Sequence, residues 1–139
     1  MPLVRLIYGS SVTEKFTGDE IRNLLVESRK NNAKKNITGI LWFNRNYVMQ
    51  ALEGDAADVN ALYLKISTDA RHKSLMLLDY RPINKREFSR WSMGLVPEIK
   101  RIKEILIIYT AKGEFNPYTL VGDIATDFLI SLREEVVSE

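Results

Sequence analysis

The order of β-rich runs and helical stripes limits the possible folds of this chain more than any other feature of its sequence. Residues 3–8 form an apolar run closed by the turn residues 9–11, which predicts a buried first strand. Thr17 and Glu20 have the spacing of a helix capping box, and the polar residues 29–32 predict where that helix ends. The side chains that repeat at helical spacing in it are Ile21, Leu24, Leu25 and Ser28.

A predicted hairpin follows this helix. Residues 37–43 and 47–53 are β-rich runs, and Asn44, Arg45 and Asn46 separate them. Because Asn tolerates the positive φ of tight loops, these three residues predict a short turn between two paired strands.

The remaining elements complete a βαββαββ order. Gly54 and Asp55 predict the N-terminal cap of a second helix, and residues 69–73 predict its end. The side chains that repeat at helical spacing in this helix are Val59, Leu62, Tyr63 and Ile66. Residues 75–80 and 91–96 are the last two strand candidates.

Such an order predicts an α+β, ferredoxin-like fold for residues 1–96, with a mixed five-stranded sheet and two helices on one face. Right-handed crossovers put both helices on the same face and make the first and third strands central neighbours. Residues 97–139 predict a C-terminal helical extension packed on the same domain. It comprises a weakly amphipathic segment at 99–110 and a helix at 118–136.

Composition excludes several kinds of site. The chain has no cysteine and one histidine, His72, which excludes disulfides, thiolate nucleophiles and multi-histidine metal sites, so no metal site is expected. A net charge of +2 is too small for the single-sign field of a nucleic-acid-binding protein. Apolar runs such as 105–108 are far shorter than the roughly 20 residues of a membrane span. We therefore expect a cytoplasmic protein with no membrane segment and no direct nucleic-acid partner.

Tyr8 and Gln50 are the polar candidates in the centre of the predicted sheet. The fold makes their strands neighbours, and alternation places Tyr8 with Leu6 and Gln50 with Leu52 on one side of each strand. An unpaired buried amide would cost about 1–3 kcal/mol, so Gln50 needs Tyr8 or a polar ligand as its partner. The alternative is a solvated edge glutamine beside a core tyrosine.

Other residues could serve either a ligand or the fold alone. Asn31 and Asn32 could present their amides to the edge of a planar heteroaromatic ring, or could terminate the helix. Trp91 and Met93 are two positions apart in the predicted fifth strand and so share one of its faces, where core packing is the ordinary role. A further group lies where a phosphorylated tail or a solvated loop would be: Lys65, Asp69, Arg71 and His72.

Six motifs occur in order along the chain. They are Leu6-Ile7-Tyr8, Asn31-Asn32, Ile37-Thr38-Gly39-Ile40-Leu41, Gln50-Ala51-Leu52-Glu53-Gly54, Asp69-Ala70-Arg71-His72 and Trp91-Ser92-Met93. Together they make the chain, over residues 3–96, similar to BLUF photoreceptors, the "blue light using flavin" family.

The resemblance implies a role for each matching residue. Tyr8 matches the photoactive tyrosine, Gln50 the switching glutamine, and Asn32 the asparagine at the flavin edge. Trp91 and Met93 match the pair that carries the signal out. The implied cofactor is FAD, with FMN or riboflavin as alternatives. Its matching contacts are Leu24, Ser28, Asn31, Asn32, Gln50, Lys65, Ile66, Asp69, Arg71 and His72.

The mechanism that the resemblance implies is photochemical, without catalytic turnover. Tyr8 gives an electron and a proton to the light-excited flavin and takes them back, and Gln50 is left rearranged, with a new hydrogen bond to the flavin C4 carbonyl. The signal would leave through residues 91–96 and the C-terminal helices to an effector protein in trans or through self-association, so a homo-oligomer is expected. Phe128 and Leu132 either form that interface or cover the far face of the sheet.

Two other functions are compatible with the same fold. A small flavin-dependent oxidoreductase would use the same cofactor, and a ferredoxin-like interaction domain would need none. A reversible blue-light shift of oxidised flavin favours the sensor, whereas bleaching by NAD(P)H favours the enzyme. A colourless purified protein favours the interaction domain.

Overall fold

Strands and helices alternate in the predicted order in the computed structural model of this protein, which describes residues 1–98 and 100–136. The strands are β1 (Leu3–Val12), β2 (Thr38–Phe43), β3 (Tyr47–Asp55), β4 (His72–Pro82) and β5 (Gly94–Leu95). The helices are α1 (Gly18–Lys34), α2 (Ala56–Ser67), α3 (Lys100–Tyr109) and α4 (Asp123–Ser131). Short 3-10 turns lie at Pro117–Thr119 and Arg133–Glu135.

The five strands form one mixed sheet in the order β4-β1-β3-β2-β5. β1 is antiparallel to both β3 and β4, β2 is antiparallel to β3, and β5 runs parallel to β2. α1 joins β1 to β2 with β3 between them, and α2 joins β3 to β4 with β1 between them, which is the split βαβ arrangement. The ferredoxin-like fold with β1 and β3 as central neighbours is therefore confirmed.

The ends of α1 show one correct prediction and one error. Thr17 caps the helix, because its hydroxyl accepts a hydrogen bond from the backbone N–H of Glu20 at 3.3 Å. The predicted end at residues 29–32 is wrong, since the helix continues to Lys34. The polar side chains of Arg29 and Asn32 bond to carbonyls near residue 92 instead of competing for the backbone of the helix.

None of the helices among the described residues has the length and apolarity that crossing a bilayer needs.

The hairpin between β2 and β3 forms where it was predicted, but its loop is shaped by side-chain hydrogen bonds and not by a positive φ. Oδ1 of Asn44 accepts from the backbone N–H groups of Asn46 and Tyr47, both at 2.8 Å. Among the described residues, the non-glycine positions with positive φ are Asn36 and Ser74, so neither loop asparagine adopts it. Asn44 thus shapes the loop through its side chain.

Strand lengths depart from the sequence prediction in three places. β1 continues through the expected turn at residues 9–11, because Ser11 still pairs with Tyr47. β4 begins at His72, within the segment expected to be loop. β5 has two residues instead of the predicted run 91–96, and its partner is β2.

The predicted C-terminal helix at 118–136 is broken into separate pieces. Gly122 adopts a φ of +64° and donates its N–H to the Leu78 carbonyl at 2.9 Å, which turns the chain between the 3-10 turn Pro117–Thr119 and α4. A left-handed φ is one that glycine adopts readily, so the break lies at this residue.

Each face of the sheet carries its own apolar core, as the alternation of side chains along a strand requires. Leu6, Tyr8 and Leu52 pack with α1 and α2 residues on one face. The opposite core joins sheet residues to the C-terminal extension, and it includes Ile7, Met49, Ile105, Phe128 and Leu132. Phe128 and Leu132 are both 0% exposed. Both side chains therefore cover the far face of the sheet, which is one of the two roles predicted for them.

Candidate functional site

A cleft opens between α1, α2 and the sheet, with a volume of about 710 Å³ that includes its part open to solvent. The structure brings to it Tyr8 and every residue predicted to contact a cofactor: Leu24, Ser28, Asn31, Asn32, Gln50, Lys65, Ile66, Asp69, Arg71 and His72. Sequence analysis did not select five other lining residues, which are Phe16, Glu27, Leu41, Val48 and Leu62. Leu62 belongs to the α2 stripe, so helical spacing alone could have identified it.

Tyr8 and Gln50 meet at the sheet end of this cleft. They are direct partners in the pairing of β1 with β3, and the Tyr8 hydroxyl donates to Oε1 of Gln50 at 2.5 Å. The two residues are 2% and 6% exposed. Burial, followed by the nearby Tyr63 and Asp69, raises the pKa of the Tyr8 phenol far above its ordinary value. The phenol is thus a neutral hydrogen-bond donor throughout the physiological pH range.

Gln50 connects this pair to the segment before β5. Its Nε2 donates to Sδ of Met93 at 3.2 Å, a weak hydrogen bond because sulfur is a poor acceptor. Met93 is 0% exposed and belongs to the core that contains Tyr8. Trp91 packs against the opposite core, so the prediction that both lie on one face of a fifth strand is wrong. Because β5 contains only two residues, residues 91–93 lie outside it. Their side chains therefore need not follow the alternation of a strand.

His72 completes the wall of the cleft beside Tyr8. Its Nε2 lies 3.0 Å from the Ile66 carbonyl, which can only accept, so Nε2 carries the proton. Nδ1 is 2.8 Å from Oγ of Ser10 and accepts from it when the ring is neutral. Burial lowers the pKa of His72 and favours that neutral ring. The two hydrogen bonds hold the imidazole edge-on to the Tyr8 ring, with 6.0 Å between ring centroids.

Charged residues lie at the mouth of the cleft. Arg71 donates Nε to both carboxylate oxygens of Asp69, at 2.9 and 3.1 Å, and its Nη1 is 3.6 Å from Oε2 of Glu20. Hydrogen bonding to Arg71 lowers the pKa of the Asp69 carboxyl. Lys65 is exposed and forms no ion pair with any residue that the structure describes. Lys65 is therefore the cation of this group with its charge still available to an anion.

Asn31 and Asn32 differ in their surroundings. Asn31 is exposed at the mouth, whereas Asn32 is 2% exposed and donates Nδ2 to the Ser92 carbonyl at 2.8 Å. One turn earlier, Nε of Arg29 donates to the Met93 carbonyl at 3.0 Å. Sequence analysis did not select Arg29, because both carbonyl partners lie about 60 residues further along the chain.

The chemistry of the lining suits a flat heteroaromatic ligand with an anionic tail. Leu24 and Ile66 project apolar side chains from the two helices, which matches the faces of a ring system. Gln50 and Asn32 offer amides at the inner end, which match a polar ring edge. Lys65, an exposed residue of the lining, offers a cation that suits a phosphate. The residues present therefore fit a flavin.

A ferredoxin-like domain with a ligand cleft between two helices and a sheet defines the structural class of the protein. The chain belongs to the BLUF family, described as "Sensors of blue-light using FAD", whose family model matches residues 3–94. Its fold is similar to that of BlsA in the photo-activated state, with a TM-score of 0.85 and 32% identity over 99% of this chain and 96% of that one. The dark-state structure of BlrB, a BLUF protein, has a TM-score of 0.79 at 29% identity, with 94% of each chain covered.

Curated relatives are similar over this domain alone. The blue light- and temperature-regulated antirepressor BluF of Escherichia coli (strain K12) is 33% identical over 95 residues, which are 67% of this chain and 23% of that protein. The photoactivated adenylate cyclase subunit alpha of Euglena gracilis is 29% identical over 93 residues, 66% of this chain and 9% of that protein. The chain thus spans a quarter or less of the length of these relatives.

Proposed function

We propose that this protein is a blue-light photoreceptor that binds flavin non-covalently and signals by a hydrogen-bond rearrangement without catalytic turnover. The observation that carries the proposal is the continuous contact from the Tyr8 hydroxyl through the Gln50 amide to Sδ of Met93 at the inner end of the cleft. A bound flavin would supply the light absorption, and Tyr8 would be the donor of an electron and a proton to it.

The residues of the contact have distinct roles in this proposal. Tyr8 is kept protonated by burial, so it has a proton to give with its electron and takes both back afterwards. Gln50 stores the state, because its amide can exchange which side donates and which accepts. Met93 would sense the exchange, because the Gln50 amide donates to its sulfur and would give up this weak hydrogen bond at little cost when it rearranges.

FAD is the cofactor we assign, with FMN and riboflavin as alternatives. Lys65 would contact the phosphate, whereas Arg71, already paired with Asp69 and Glu20, would close the mouth. The proposed cofactor contacts are the ten cleft residues predicted from the sequence. Residues 1–96 act as the photosensory unit and 97–139 as the extension through which the signal reaches an effector protein or a second copy.

A light-minus-dark absorption spectrum of the purified protein tests the proposal. Wild-type protein should be yellow and show a small, reversible red shift under blue light. Tyr8→Phe and Gln50→Leu should keep the flavin but lose the shift, while Tyr109→Phe, on the opposite face of the sheet, should behave as wild type. A normal shift in either site variant would contradict the assignment, and bleaching by NAD(P)H would favour an oxidoreductase.

The chain has a single glutamine, which allows a second and more direct measurement. Protein labelled with nitrogen-15 in the glutamine side chain should give one pair of amide signals, both from Gln50. These signals should move under blue light and return in the dark. Signals that stay fixed while the flavin spectrum shifts would remove Gln50 from the mechanism.

A further inference from the structure

The segment Trp91 to Met93 is held by a row of three consecutive carbonyls. The Trp91 carbonyl accepts from the backbone N–H of Gly39 in β2 at 3.1 Å. The next two accept from side chains of α1: the Ser92 carbonyl from Asn32 at 2.8 Å, and the Met93 carbonyl from Arg29 at 3.0 Å. The segment is therefore attached to the sheet at one end and to the cofactor-binding helix at the other.

Its side chains point to different parts of the molecule. Met93 contacts Gln50 on the cleft side, whereas Trp91 packs with the opposite core. Trp91 and Val136 both lie against Gly94, where an added Cβ would be 3.0 Å from Cγ of Trp91 and 2.7 Å from Cγ1 of Val136. Neighbouring residues, Met93 and Gly94, thus contact Gln50 on one side and Val136, the last residue that the structure describes, on the other.

We propose that Arg29 is a positioning residue for the light signal, because its hydrogen bond holds the Met93 backbone while the Met93 side chain responds to Gln50. The inference rests on the proposed function. A methionine has three rotatable side-chain bonds, so with a loose backbone it would absorb a change at Gln50 locally. Because α1 holds the Met93 carbonyl, the movement that a change at Gln50 causes in Met93 instead passes along the backbone towards Trp91.

Arg29 suits this role for two reasons. A guanidinium N–H on a carbonyl is a charge-assisted bond, stronger than the amide-to-sulfur contact it stabilises. Arg29 also lies outside the set of residues that line the cleft, so replacing it leaves every cofactor contact in place.

Hydrogen–deuterium exchange of the flavin-loaded protein, in the dark and under blue light, tests the inference. Arg29→Gln should keep the wild-type red shift, but dark exchange at residues 91–96 should rise about tenfold, and the light-minus-dark difference there and in α3 should be lost. Arg29→Lys, which retains a cationic donor, should restore part of that difference. Arg22→Gln is the matched control on the same helix, where Arg22 is 79% exposed and paired at 3.8 Å with an Asp19 side chain that is 90% exposed.

The outcomes separate this inference from the proposed function. A red shift in wild type together with an unchanged light-minus-dark exchange difference in Arg29→Gln would overturn the role of Arg29 alone. If Arg29→Gln does not fold, Arg29→Ala decides: it also lacks a cationic donor, so a light-minus-dark difference equal to that of wild type would likewise overturn the role. A wild-type protein with no red shift would instead contradict the proposed photoreceptor.

Discussion

The two faces of the sheet differ in what lies over their central strands. On the α3–α4 face, Phe115 and Phe128 stack with 6.2 Å between ring centroids, and Trp42 lies edge-on to Phe115 at 4.2 Å. On the α1–α2 face, the helices leave a cleft of about 710 Å³ above Tyr8 and Gln50. Aromatic rings thus cover one face, whereas on the other face a cleft with converging polar groups reaches Tyr8 and Gln50, as ligand sites do.

The two faces also differ in the surroundings of their polar side chains. The cleft is lined by amides and hydroxyls, among them the side chains of Gln50 and Tyr8. The packed face buries a fully paired carboxylate: Glu53, 0% exposed, accepts from Arg5 at 3.0 Å and from the backbone N–H groups of Glu87 and Phe88 at 2.9 and 2.8 Å. In the proposed mechanism one face carries the light-driven change and the other gives it a rigid support.

The largest effect should come from truncating the packed face. Phe128→Ala should lower the free energy of unfolding by about 3–5 kcal/mol, because it leaves a cavity in a filled core. Leu62→Ala, on a half-buried side chain beside the cleft, should cost only about 1 kcal/mol, because solvent already reaches the site. Urea denaturation of the flavin-free proteins measures both, and equal losses would mean that the faces are packed alike.

Flavin should stabilise the cleft face and leave the packed face unaffected. At a flavin concentration about 100 times its Kd, the free energy of unfolding should rise by about 2.7 kcal/mol. Because Phe128 does not line the cleft, Phe128→Ala should gain as much as wild type. Chemical denaturation with and without added FAD gives the comparison. A gain that shrinks markedly in Phe128→Ala would show that the two faces are coupled.

A smaller loss should follow from disturbing the buried carboxylate. Glu53→Gln keeps the size of the side chain but leaves Arg5 without its counter-charge and places an amide among hydrogen-bond donors. We expect a loss of about 2 kcal/mol in the free energy of unfolding. Glu14→Gln, a carboxylate at an exposed position before α1, is the control and should lie within about 0.5 kcal/mol of wild type. An unaffected Glu53 variant would mean that water or rearrangement replaces the ion pair.

Local sequence patterns correctly predicted the pairing of the central strands and the N-terminal caps of α1 and α2. The pairing of Tyr8 with Gln50 follows from two general constraints, the alternation of side chains in strands and the handedness of crossovers, and neither needs knowledge of distant contacts. The N-terminal caps Thr17 and Asp55 were equally accessible, because a cap acts within three residues.

Features decided by distant contacts were missed. Arg29 and Asn32 looked like a helix end, because the carbonyls they bond lie about 60 residues away. Trp91 and Met93 looked like neighbours on one strand face, because nothing local shows that β5 has only two residues. Glu53 was part of a motif, yet its burial against Arg5 depends on the loop at 86–88 folding over it.

The smallest effect concerns pH, and it should arise on the cleft face. The pKa of His72 is lowered in the folded protein, mainly by burial, so below about pH 6.5 the unfolded chain binds more protons than the folded one. Stability contributed by the neutral ring is thus complete above that pH and declines as the pH falls below it. The Asp69 carboxyl, whose pKa is also lowered, adds its own loss only in more acidic solution.

Urea denaturation at pH 7.5 and pH 5.5 isolates the histidine, because it is the only one in the chain. Wild type should be less stable at the lower pH, and His72→Gln should show a smaller decline. The packed-face variant Phe128→Ala should decline as much as wild type, since His72 and its partners Ser10 and Ile66 do not belong to that core. A decline that persists unchanged in His72→Gln would assign the pH response to other groups.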